Sequence, residues 1–275
     1  MTNPVTILSG KLHLGKDCEV GENVVVNVAE EAIFGDRCVI PNNAYLSGRS
    51  LQFGSDFYGY SWDWRRLDVG RGRRDYEAAR LVVGDRCTFH DNRIDLTKAV
   101  AIGIDVGLSP EVVVYTHGYW LSELEGYPCN EASVAIGDGV IVGFRSVVLP
   151  GTVIERRTVV GAQSVVSGTL SDASVYAGNP AKLIRNIVQL PVAVRVEKAV
   201  EILTRYARSL EYRWIDVKPP SLEYPVVNFR GVTLGLESGT CAGEEDRYTD
   251  DLRDFLFRRG LRFYTQRRFR SLEKR

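Results

Sequence analysis

From Ile136 onward an aliphatic side chain returns at every sixth residue, at Ile136, Val142, Val148, Ile154, Val160 and Val166. Four residues after each of these comes Val140, Ser146, Thr152, Thr158, Ser164 or Leu170, mostly small or β-branched, and Gly137, Gly143 and Gly161 directly follow the aliphatic. A period of six matches neither the 3.6 of an amphipathic helix nor the two of a long half-buried strand. It matches short flat strands separated by tight corners, with three hexads closing one triangular coil, which is a hexapeptide β-helix. The pattern therefore predicts a mainly β repeat fold.

The same spacing runs through the earlier chain with interruptions. Hexads begin at Leu14, Val20, Phe34 and Ile40, resume at Val83, and continue through Ile102, Leu108 and Val114. Two insertions are expected, at about 54–80 and 119–132. The first holds five aromatics in eight residues, Phe57, Tyr58, Tyr60, Trp62 and Trp64, interleaved with Gly59, Ser61 and Asp63. Such a stretch reads either as a self-packing loop or as a platform that stacks on sugar rings, with Asp63 on hydroxyls. Past Pro191 the period changes to three and four, predicting an amphipathic helix to about Tyr212. Pro219-Pro220 reads as a linker. Strands at 225–229 and 232–236, a helix at 248–259 and a strand at 261–265 then complete a ββαβ unit. The expected organisation is a β-helix domain over 1–190, helix and linker over 191–218, and a small α/β domain over 219–275.

Composition narrows the function. Lys+Arg and Asp+Glu both number 35, so no global cationic field draws nucleic acid. No run approaches the ~20 apolar residues of a membrane span, and the amino terminus lacks a charged-then-apolar pattern. A cytoplasmic location is expected. The five cysteines show no CxxC spacing, which argues against a disulfide framework and a zinc site. Cys18, Cys38 and Cys87 take the small fifth place of a hexad and read as core residues.

Only three histidines are available for acid–base chemistry, His13, His90 and His117. His117 lies where a regular coil breaks into the second insertion, at an edge open to solvent. Imidazole exchanges its proton near neutral pH, which suits a general base. His90 sits at the glycine-type place of its hexad and reads as structural or substrate-adjacent.

The segment from about 83 to 185 resembles the hexapeptide-repeat acyltransferases, in the branch of maltose, galactoside, nodulation-factor and polysaccharide O-acetyltransferases. Tyr115-Thr116-His117, the run from Ile136 to Gly143, the run from Val160 to Val166, and Gly178-Asn179-Pro180-Ala181 carry the resemblance. It implies a left-handed parallel β-helix and a homotrimer with acetyl-CoA bound between neighbouring β-helices. By that resemblance His117 is the general base, and Gly143 or Phe144 offers a backbone N–H to the oxyanion. Ala162 and Ser167 line the pantetheine arm, and Lys182 and Arg185 meet the nucleotide phosphates. A sugar or polysaccharide precursor is the implied acceptor, with Asn92, Asp95, Tyr119, Trp120 and Glu123 as substrate-side residues and no metal required.

The chain departs from the family pattern after His117, where Trp120-Leu121-Ser122-Glu123-Leu124-Glu125-Gly126 lacks a second histidine with an adjacent acid. Glu123 or Glu125 is the expected orienting partner of His117. N-acylation of an amino sugar or small amine is the alternative reaction, and a non-catalytic β-helix scaffold the alternative class. Apolar outward places at Val142, Val147 and Val159 predict one covered face.

Overall fold

Each turn of the coil advances the chain by one parallel-strand spacing, so residues about eighteen apart stack. The computed structural model describes residues 5–62, 65–263 and 265. It divides into two compact units, Met1–Val188 and Gln189–Arg275. The first is a mainly β parallel solenoid of the left-handed hexapeptide type. The long strand Val24–Phe34 pairs with Tyr45–Gly48 through its first half and with Ser50–Phe53 through its second. It thereby joins two faces of a prism into one fourteen-stranded sheet, while a nine-stranded sheet forms the third face.

The corners explain the hexad chemistry. The fourth residue of a hexad adopts a left-handed conformation, at Asp17, Arg37, Asp56, Arg86, Arg145, Arg157 and Gln163 among others. For a non-glycine residue this costs on the order of 1 kcal/mol. Ladder bonds across coils offset it: the Arg37 N–H donates to the Lys16 carbonyl at 2.7 Å and the Gln163 N–H to Phe144 at 2.7 Å. Third-place carboxylates close the remaining corner donors, as where Asp36 accepts from Lys16 N–H and Asp138 from Ile104 N–H. Fifth-place hydroxyls are fully buried but satisfied, Ser146 and Ser164 both donating to the Gly161 carbonyl.

Inward aliphatics form one continuous core, with Cys38 and Cys87 buried in it and Cys18 packed at its end. Val142 belongs to this core and is not an outward residue; the strand period points it inward, opposite the half-exposed Ile141. The first expected insertion also needs correcting. Tyr58–Gly59 pairs with Val39 on one side and Thr88–Phe89 on the other, and Asp68–Val69 pairs with Tyr45–Leu46 and Arg93–Ile94. The coil thus continues through 54–80, with loops only between these strands. Phe57 is not part of an exposed platform. Gly59 leaves the inward aliphatic place empty, and Phe57 fills the volume from the fifth place, 4.7 Å from the Phe53 ring and 5.2 Å from Phe89. Tyr58, Tyr60 and Trp62 are exposed, whereas Asp63 and Trp64 lie outside the described residues.

The second unit has its own core of Tyr206, Leu210, Val227, Phe229, Leu252 and Leu256 with their neighbours. Helix α1 spans Val192–Tyr212 and helix α2 spans Arg247–Phe257, the latter opened by an Asp246–Thr249 capping box. Between them lies a four-stranded antiparallel sheet that includes Ser221–Glu223 and Cys241–Ala242. The expected strand at 261–265 is absent from the described residues. The buried Arg253 guanidinium takes the Phe263 carbonyl at 2.7 Å and ties that segment to α2 rather than to the sheet. Among the described residues no helix is long and apolar enough to cross a membrane.

Replacing Phe57 with Ala should destabilise the first unit by about 3–5 kcal/mol, the usual cost of a large aromatic lost from a core. Urea unfolding measures it, and a loss below about 1 kcal/mol would place Phe57 outside the core.

Candidate active site

Three successive coils leave the same corner of the prism one above another. Val69 pairs with Ile94, and Ile94 with Val114, so Gly70, Asp95 and Tyr115 stack in register. Ladder bonds hold them there, from Gly70 N–H to Ile94 and from Asp95 N–H to Val114. Gly70 turns with φ of +57°, and a Cβ there would lie 2.2 Å from the Ser47 carbonyl oxygen. A chain segment departs from each of these points. The lowest carries Arg73, the middle one Asp95 and Thr97, and the top one Thr116 and His117. His117–Gly118 then pairs antiparallel with Asn130–Glu131, closing the 119–129 loop.

These residues converge on one imidazole. His117 Nδ1 lies 2.8 Å from Asp95 Oδ2 and 3.1 Å from Thr97 Oγ1. Asp95 also accepts from the Thr116 hydroxyl and the Thr116 and Thr97 N–H groups. Burial alone would push the Asp95 carboxyl up, but the hydrogen bonds from Thr116, His117 and Thr97 outweigh it and hold it at about 2. An ionised carboxylate only accepts, so Nδ1 carries the hydrogen and Nε2 the lone pair. Arg73 Nη2, which only donates, stands 3.3 Å from that Nε2. The two neighbours therefore specify the same tautomer. Tyr119 packs against the ring at 5.3 Å between centroids.

The geometry revises several sequence-derived roles. Asp95, expected on the substrate side, is the partner of His117; Glu123 and Glu125 are exposed in a short 3₁₀ turn, with Glu123 beside the Cys129 thiol. Asn92 is fully buried and spends both ends of its amide, accepting from His90 N–H and donating to the Ser109 carbonyl, so it cannot touch a substrate. Burial pushes the His90 imidazole below its ordinary value, against the opposing pull of Asp91. Trp120 is almost wholly exposed.

Gly143 is also corrected. Its N–H is spent on the Val160 carbonyl at 2.8 Å, and a Cβ would lie 2.6 Å from Ala162 N, so the glycine serves coil stacking. The Phe144 N–H meets no protein acceptor among the described residues. At other corners a third-place carboxylate of the next coil takes this donor, but here that place is Ala162. Ala162 and Ser167 are exposed at coil corners, Ser167 on the His117 corner two coils further on. Lys182 and Arg185 lie exposed on Lys182–Asn186, antiparallel to Ser174–Ala177.

Arg73 was missed by sequence reasoning, as was the pairing of Asp95 with His117. Extending the repeat register backward from Val114 to Ile94 and Val69 would have stacked their loops. A cavity of about 440 Å³ in the second unit, lined by Arg213, Asp251, Asp254 and Arg258 among others, contains none of these groups.

No family model matches the chain. A Saccharomyces cerevisiae protein named as an acetyltransferase is 34% identical over 119 residues, 42% of this chain and 60% of that protein. The chain thus spans less than two thirds of that relative's length. WbbJ of Escherichia coli, named for lipopolysaccharide biosynthesis O-acetyl transfer, is 48% identical over 161 residues, 54% of this chain and 75% of WbbJ. Among solved structures, the polysialic acid O-acetyltransferase OatWY aligns at 17% identity with a TM-score of 0.48, over 68% of this chain and 90% of its own.

The Asp95 pairing has a signature in stability. Its folded pKa lies below the ordinary 3.8, so its contribution is present above that value and is lost as pH falls through about 2. The stability gap between the wild type and Asp95→Asn should therefore narrow from pH 5 to pH 2 in urea titrations. A gap independent of pH would remove the ionised pairing.

Proposed function

The chain belongs to the hexapeptide-repeat acetyltransferases, and we propose that it transfers acetyl from acetyl-CoA to a hydroxyl of a sugar or surface-polysaccharide precursor. The observation that carries this reading is the His117 imidazole, held at Nδ1 by Asp95 with the Nε2 lone pair facing the Arg73 guanidinium. Nε2 takes the acceptor's hydroxyl proton as the oxygen attacks the thioester carbonyl. A C–O bond forms and the carbonyl opens to an oxyanion. Its collapse breaks the C–S bond, and the imidazolium returns the proton to the departing thiolate. No acyl-enzyme is required. Asp95 is a positioning residue that keeps the tautomer.

The unspent Phe144 N–H supplies the oxyanion donor. Phe144 and Tyr115 belong to opposite edges of one prism face: Leu149 stacks on Tyr115, and the strand Val147–Val148 separates it from the turn at Phe144-Arg145. A second copy, its Phe144 edge against the first copy's His117 edge, would bring both groups to one carbonyl. This supports a homotrimer with acetyl-CoA between copies, and the exposed Trp120 and Leu124 suit burial there. In this reading Ala162 and Ser167 line the pantetheine arm, and Lys182 and Arg185 hold the nucleotide phosphates. The name of WbbJ supports a glycan acceptor.

His117→Ala should lower acceptor-dependent thiol release by roughly 10²–10⁴ while acetyl-CoA still binds. Near wild-type turnover would remove His117 from the mechanism. Lys182→Ala with Arg185→Ala should raise the KM for acetyl-CoA but not for acetyl-pantetheine, which lacks the nucleotide; equal effects on both donors would place the phosphates elsewhere. Light scattering should give three times the chain mass, and a monomer would contradict a shared site.

A further inference from the structure

Arg73 stands on the side of His117 from which an acceptor hydroxyl must approach. Its Nη2 is 3.3 Å from Nε2, its Nε donates to Asp95 Oδ1 at 3.2 Å, and its Nη1 donates to the Tyr76 hydroxyl at 3.1 Å. A guanidinium has five N–H donors, so these contacts leave one on each terminal nitrogen. Two free donors on one planar cation can meet the oxygens of a carboxylate or phosphate. The Arg73 side chain is only 20% exposed.

The surrounding charge has the same sign. Residues 65–80 contain six arginines and three carboxylates. Asp68 carries both Arg66 and Arg71, so that cluster retains a surplus positive charge. Once Nε2 takes a proton, an imidazolium and a guanidinium stand side by side with Asp95 as their shared carboxylate. Like charges this close at a partly buried site repel each other. A neutral acceptor leaves that repulsion uncompensated. An acceptor oxyanion would draw Arg73 off Nε2, admit the hydroxyl to the base and supply the missing negative charge.

We propose that Arg73 is the specificity-determining residue of the site, and that the acceptor is an anionic sugar with a carboxylate or phosphate beside the reacting hydroxyl. The proposal rests on the acyl-transfer reading for its reaction, but not for its binding chemistry. The three histidines make the test direct, because ¹⁵N-histidine labelling yields few ring signals. The intact chain is titrated with glucose, glucuronate and glucose 6-phosphate while the His117 ring is observed. Glucuronate, glucose 6-phosphate or both should shift the His117 signals saturably, and glucose should not; which anion binds more tightly separates carboxylate from phosphate. Arg73→Gln should weaken the response at least about tenfold and Arg73→Lys should retain part of it, with His13 and His90 reporting an intact fold. An equal response to glucose, no response to either anion, or an unchanged response in Arg73→Gln would each overturn the proposal. Thiol release from acetyl-CoA is measured separately. Arg73-dependent anion binding in a protein that transfers acetyl to no acceptor would sink the acyl-transfer reading and uphold this one.

Discussion

The backbone of each coil rests directly on the next at the ~4.8 Å spacing of parallel strands, and every other feature of the first unit follows from that stacking. It sets which places must be glycine, because a Cβ at Gly35, Gly84, Gly137 or Gly143 would run into the backbone of the coil above. It aligns inward residues into columns, so that a loss of volume at Gly59 is filled by Phe57 in the same coil. It also converts sequence register into function. Loops leaving the same corner on three neighbouring coils are brought side by side although His117 is 44 residues from Arg73.

The site built this way is a small electrostatic network rather than a deep cavity. Asp95 is the hub: it holds His117 through one oxygen and Arg73 through the other, and Thr116 and Thr97 keep it ionised. The Thr97, Thr116 and His117 donors on Asp95 come from the coil or from residues close to its strands, so the imidazole orientation does not depend on the exposed 119–129 loop. An orienting acid in that loop, as Glu123 or Glu125 would have been, would have tied the base to its most exposed segment. The coil-borne Asp95 separates the two tasks. The loop is then available for contact with a partner or an acceptor.

Much of this was legible in the sequence because hexad positions have strict chemical meanings. The inward aliphatics, the buried cysteines and the break at His117 all follow from the period. The errors arose where one place borrowed from another. Phe57 sits at a nominally small place and Gly59 at a nominally large one, which disguised a regular coil as an insertion. Asn92 and Asp95 are three residues apart and both polar, yet one faces the interior and the other the site, a difference set by the corner between them. The oxyanion donor was ambiguous between Gly143 and Phe144 until the ladder bond to Val160 was visible. In the second unit, short strands at 221–223 and 241–242 lacked the length to show a period, and the Arg253–Phe263 bond that keeps 261–263 out of the sheet has no sequence signature.

The central claim is that His117 rests as the Nδ1–H tautomer, with Nε2 ready to take a proton. Nitrogen-15 shifts of the imidazole in the free protein, recorded above the histidine titration range, report it directly. The expected result is a protonated, pyrrole-type Nδ1 and an unprotonated, pyridine-type Nε2, with Asp95→Asn disturbing that assignment. A hydrogen found on Nε2 would contradict it, since a base already carrying its proton cannot accept another from the acceptor.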